Sequence, residues 1–301
     1  MDVPFLEPQL KFIRWLQSAH SPLLDNFFRF MNYFDTEYFV FLIFPIIWIG
    51  FSWKWGLRIF YIQMLSTYLN SALKALFAMP RPFLFDPSLA LVKVNGYGLP
   101  SGGAQTCLLL GGILIYYWKS PWRYLVGLSY IFLVSLSRIY LGVHFPIDVL
   151  GGWILAILLL LFFITVCPKL EHLIKNHPPY ALIISILFPL IFIILFPRPK
   201  IYYIMTASMV AGIGSYIAVH YRLYLEYPNK IWHGIVRSLV AIFGTFILYF
   251  ITYFLLNFKN AETLSLILQA IILGIWLTIG VSPLCKLFFP WAKRISKNKD
   301  K

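Results

Sequence analysis

Three short clusters in this chain hold the residue types that phosphate chemistry needs. In one, Ser137-Arg138 is followed after five residues by His144, and Asp148 comes a helical turn later. A carboxylate at that distance can accept the proton of one imidazole nitrogen and leave the other nitrogen free to attack. Upstream, six residues separate Lys74 from Arg81-Pro82. The arginine offers a planar donor fork suited to phosphate oxygens, and the proline stiffens its backbone. Between these two clusters Pro100-Ser101-Gly102-Gly103-Ala104-Gln105 opens an apolar run. Ser101 can cap a helix there, and the amides of Gly102, Gly103 and Ala104 then point out of its end, where the dipole favours an anion. Together the clusters describe a site that holds phosphate and attacks it.

The elements that must position these residues are membrane helices. The 301 residues are 60% hydrophobic and only 12% charged, against about 25% charged in soluble domains. Apolar stretches long enough to span a bilayer recur along most of the length, which predicts a polytopic all-α membrane protein. Nine spans are expected, near 37–53, 56–78, 101–118, 122–141, 146–167, 179–196, 201–220, 231–256 and 262–288. Residues 1–36 read as interfacial amphipathic helices. Leu6, Leu10, Ile13 and Leu16 share one face, and Ser21-Pro22 starts a second helix. Residues 37–196 would form a six-helix membrane core, 197–290 a three-helix extension and 291–301 a basic cytoplasmic tail. Thr67, Asn70, Ser71 and Lys74 make one polar stripe on the second span. The loop near 79–100 is the longest and the natural place for substrate recognition.

The formal charge of +14 raises nucleic acid as a partner, but the cations sit in short loops and a tail, which is how membrane proteins fix orientation. Nucleic acid is therefore set aside. Lys54, Arg58, Lys119, Arg123, Lys169, Lys175, Arg222, Lys230 and the tail fall on one side of the nine spans, which makes that side cytoplasmic. Arg237, just inside the eighth span, is expected to snorkel to it. All three clusters fall on the opposite, exoplasmic face, periplasmic in a bacterial inner membrane. Asp2 and Glu7 stand where a cleavable signal would be basic. Cys107, Cys167 and Cys285 read as apolar packing residues, with no ligand spacing among them. No cofactor or metal is implied. Oligomeric state is not readable from the sequence.

The three clusters resemble the motifs of the type 2 phosphatidic acid phosphatase superfamily, KxxxxxxRP, PSGH and SRxxxxxHxxxD, over roughly residues 20–195. The first and third match in full. The resemblance implies that His144 is the nucleophile and becomes a phosphohistidine, that Asp148 orients it, and that Lys74, Arg81, Ser101, Gly102 and Arg138 bind phosphate. Gly103 adds its amide to that cradle. In the family a histidine at the position of Gly103 protonates the leaving group, and losing such an acid costs about 100- to 10,000-fold.

Three readings of Gly103 stand. The leaving group needs no proton, which favours an isoprenoid or other lipid diphosphate, or transfer of phosphate between lipids. Gln105, Tyr97 or a water substitutes. Or the protein is a silent lipid-binding relative or an engineered inactive form. A transporter is a third class, although interrupted helices in both halves are not evident. The expectation is a metal-independent phosphatase acting on a membrane lipid with a phosphate or diphosphate head group.

Overall fold

The computed structural model describes residues 3–34, 36–195, 199–256 and 262–293. Asp2, Asp35, Arg198, Lys259 and residues 294–301 of the basic tail lie outside the described residues. Helices α1 (Val3–Gln17), α2 (Pro22–Tyr33) and α3 (Glu37–Pro45) open the chain. Pro45 lacks an N–H for the helical ladder, and the chain runs on as π-type turns over Ile46–Phe51. Then follow α4 (Trp53–Phe77), α5 (Gly102–Tyr117), α6 (Trp122–Tyr140), α7 (Pro146–Thr165) and α8 (Cys167–Asn176). The rest is α9 (Pro179–Leu195), α10 (Pro199–His220), α11 (Ile231–Leu255), α12 (Glu262–Ile275) and α13 (Val281–Phe288), the last two joined by π turns over Trp276–Gly280.

The molecule is an all-α integral membrane protein. Among the described residues four helices are long and apolar enough to cross a bilayer: Pro146–Asn176, Ile201–His220, Ile231–Leu255 and Glu262–Phe288. Leu42–Phe51, Gly102–Tyr117 and Pro179–Leu195 are shorter apolar helices.

The chain forms two compact units. The first comprises 1–40 and 65–168, the second 41–64 and 169–301. In the first, α5 packs against α6 and α7, and α2 against α6. The apolar stripe read on α1 is buried in this unit: Leu6, Leu10 and Ile13 meet Met79, Leu89, Ala104 and Val149. Helix α2 begins as its cap predicts, with the Ser21 hydroxyl accepting from Leu24 N–H. Its Phe28 lies against Tyr140, ring centroids 4.3 Å apart. In the second unit α10 packs against α9 and α12. Arg237 does not snorkel there. It is buried, Nη1 donates to the Glu226 carbonyl at 2.6 Å, and the guanidinium lies over the Trp291 ring. A carbonyl and the face of an aromatic ring hold the cation inside the unit.

Candidate active site

The site is built where α6 ends and α7 begins. Gly142 adopts φ +70 just past the α6 terminus, and a Cβ there would stand 1.9 Å from the Leu89 carbonyl oxygen. Only glycine fits both the left-handed turn and the close passage of the 79–100 loop. The Val143 and His144 amides donate back to the Arg138 carbonyl, so the turn delivers His144 directly above the first turn of α7. Asp148 lies in that turn. Its Oδ2 accepts from the Phe145 amide at 2.9 Å and faces His144 Nδ1 at 3.2 Å.

Those partners define the histidine tautomer. Nδ1 carries the hydrogen toward the carboxylate, and the Nε2 lone pair faces Arg81 Nη1 at 3.2 Å. His144 is only 2% exposed and Asp148 is fully buried. Burial, followed by the charges of Arg138, Arg81 and Lys74, holds His144 well below the usual histidine value of 6.5. The imidazole is therefore neutral at neutral pH, with its Nε2 lone pair directed at a guanidinium. A neutral imidazole oriented by a carboxylate, with its other nitrogen beside a guanidinium, can act as a nucleophile on an anion which that guanidinium binds.

Backbone carbonyls hold the cations in place. Arg81 Nε donates to Gly96 O at 2.8 Å, Nη1 to Val143 O at 2.8 Å and Nη2 to Asn95 O at 3.1 Å. Lys74 Nζ donates to the Tyr97 and Gly98 carbonyls at 2.6 and 3.0 Å. Arg138, in the last turn of α6, donates through Nη1 to Asn32 Oδ1 of α2. Neutral carbonyls orient these charges without cancelling them, so the positive field remains available to a phosphate.

The start of α5 is tied to the same place. Ser101 caps the helix, its hydroxyl facing the Ala104 amide at 3.5 Å, and its own amide donates to the Asp148 carbonyl at 2.8 Å. Gly152 lets α7 approach this corner, since a Cβ there would stand 2.5 Å from Ser101 O. Below, Asn70 donates to Pro100 O at 3.2 Å and to Gln105 Oε1 at 2.8 Å, while Gln105 Nε2 donates to the Ser66 carbonyl and hydroxyl.

All the predicted residues, Lys74, Arg81, Ser101, Gly102, Gly103, Arg138, His144 and Asp148, thus fall in the first unit. Direct contacts link Arg81 to His144, His144 to Asp148 and Ser101 to Asp148. The two side chains offered as substitutes for the missing acid have other places. Gln105 is buried with its amide engaged on both sides, and Tyr97 is 45% exposed. Among the described residues no three His, Cys, Asp or Glu side chains gather as a metal ion requires.

Two contacts of the candidate site are not readable from the sequence. Gly98 lies against Asp148, with a Cβ placed 2.8 Å from Oδ2. Asn32 belongs to a helix that reads only as amphipathic. No motif or periodicity announces either, since both act through a tertiary contact.

The pattern of the PAP2 superfamily matches residues 55–171. An undecaprenyl-diphosphatase of Sulfolobus acidocaldarius is 34% identical over 34% of this chain and 50% of its own. The dihydrosphingosine 1-phosphate phosphatase C823.11 of Schizosaccharomyces pombe is 23% identical over 77% of this chain and 60% of its own. The chain thus spans about half the length of these curated relatives. The crystal structure of Aquifex aeolicus LpxE is 30% identical, covers 52% of this chain and 93% of its own, and superposes with a TM-score of 0.46.

Proposed function

We propose, for a chain that belongs to the PAP2 superfamily, that its first unit removes a phosphate from a membrane lipid phosphate or diphosphate, with an isoprenoid diphosphate favoured. The observation that carries this reading is the buried His144–Asp148 pair with Arg81 on the free ring nitrogen. Nε2 attacks the terminal phosphorus, the bridging P–O bond breaks, and a phosphohistidine forms. Water then cleaves the P–N bond and returns inorganic phosphate and free His144. Lys74, Arg81, Arg138 and the amides at the start of α5 stabilise the charge of the transferring group. His144 and Asp148 are the catalytic residues, and no metal takes part.

Gly103 supports the choice of a diphosphate. A departing prenyl phosphate is a stable anion and needs little protonation, whereas an alkoxide needs an acid. With Gln105 engaged in the α4–α5 contact and Tyr97 half exposed, only water is left to supply that proton. The positive-inside count supports a site on the exoplasmic face and a cytoplasmic C-terminus.

Gly103 also favours a second reading, a lipid-binding relative that retains the cradle and turns over slowly or not at all. Phosphate release by the purified protein from lipid mono- and diphosphates, beside His144→Ala and Gly103→His, separates the two. We expect release from diphosphates that His144→Ala abolishes, and a gain on monophosphates in Gly103→His. No release from any substrate would sink the enzymatic reading.

A further inference from the structure

We infer that Asn32 of α2 is a positioning residue that holds Arg138 toward the reacting phosphate while leaving its charge intact. The inference rests on the phosphatase reading above. It adds a residue from the N-terminal region, ahead of residues 55–171 that match the family.

The way α2 meets the end of α6 supports it. Asp25 and Asn32 stand seven residues apart, two turns along one helical face. Asp25 accepts from the Tyr140 hydroxyl, and Asn32 accepts from Arg138 Nη1. The helix therefore gives its carboxylate to a phenol and its neutral amide to a guanidinium. Each of these bonds has one charged partner and is charge-assisted, so the pairing anchors α2 to α6 at two points without setting a carboxylate against Arg138. The amide oxygen fixes one of the five guanidinium donors and contributes no negative charge to compete with phosphate. The contact of Phe28 with the Tyr140 ring and the Ser21 cap keep α2 in place independently of Asn32.

The charge at Arg138 also acts on the nucleophile. His144 is faced by Arg138 from α6, Arg81 from the 79–100 loop, Lys74 from α4 and Asp148 from α7. Cancelling the Arg138 charge removes part of the field that keeps the imidazole neutral.

The test uses the full chain in detergent, with farnesyl diphosphate as substrate and inorganic phosphate as the competing ligand. Asn32→Asp should fold with unchanged or raised thermal stability, because it forms an ion pair with Arg138. Its KM and the inhibition constant for phosphate should rise about tenfold, the equivalent of one hydrogen bond to a charged group. The acid limb of kcat/KM should move up by about half a pH unit, toward the ordinary histidine value. Asn32→Leu should raise KM by a similar factor and leave the acid limb in place. Wild-type kinetics and an unmoved limb in Asn32→Asp would overturn the inference and leave the phosphatase reading standing. So would losses in both variants that merely follow a falling melting temperature. If the wild-type protein neither releases phosphate nor is stabilised by it, both readings fall.

Discussion

The two compact units both bury polar side chains, and they differ in how most of these are satisfied. In the second unit Ser185, Ser208, Ser238, Thr245, Thr252 and Thr278 each donate to the carbonyl four residues back in their own helix. These bonds stay within one helix, although Ser185 also faces the Tyr61 hydroxyl and Thr252 also accepts from Gln269, and they leave small surfaces against which other helices close. Gly214 is one example: a Cβ there would stand 2.1 Å from the Thr278 hydroxyl. In the first unit the buried groups reach between elements: Asn70 to Gln105, Arg81 to His144, His144 to Asp148, Arg138 to Asn32. A buried network of this kind is costly unless every member is placed. Polar groups closed on their own helix leave room for packing, whereas those of the first unit depend on several elements at once, as the proposed chemistry requires.

Substitutions can break or sharpen this contrast. His144→Ala should have the largest effect, lowering kcat by about 10⁴-fold or more in a phosphate-release assay, as expected for a lost nucleophile. An equal loss from a hydroxyl of the second unit would erase the contrast. Gly98→Ala comes next. Its methyl group would stand 2.8 Å from Asp148 Oδ2, and displacing the carboxylate should lower kcat by about 10²-fold with the helical circular dichroism intact.

The pH profile tests the electrostatics of the first unit. The proposed attack needs a neutral His144, and its lowered value keeps it neutral as pH falls through 6.5. The acid limb of kcat/KM should therefore lie below 6.5, and a limb at or above that value would contradict the geometry. The smallest effect is expected from Thr278→Val. Loss of a bond to its own helix should change stability by at most about 1 kcal/mol and turnover not at all. A marked fall in activity would tie the second unit to the chemistry.

Much of the site was legible because its residues act through fixed spacings. Lys74, Arg81, Arg138, His144 and Asp148 each lie at the end of a helix or in the turn beside it, where sequence separation translates directly into geometry. The Ser21 cap and the helix starts at 102, 122, 146 and 231 were legible for the same local reason. What could not be read depends on what the other side of a contact is. The apolar stripe of Leu6, Leu10 and Ile13 has one period whether it faces lipid or protein, and here it faces protein. Arg237 near a helix end fits a snorkelling side chain until Trp291 is placed over it. Gln105 sits in the motif region and looks available, but Asn70 and Ser66 hold it from the α4 side.

The 79–100 loop is anchored by three side chains of α1 and α2. Arg14 pairs with Asp86, Gln17 donates to the Leu89 carbonyl, and Arg29 donates to that of Leu91. Arg81 and the Gly98 amide fasten its two ends. Digestion of a folded protein starts where a protease can draw a stretch of chain away from the surface. Here every stretch between anchors is a few residues long. The longest connection in the chain is thus a poor first site for a nick, and the first cut should fall elsewhere.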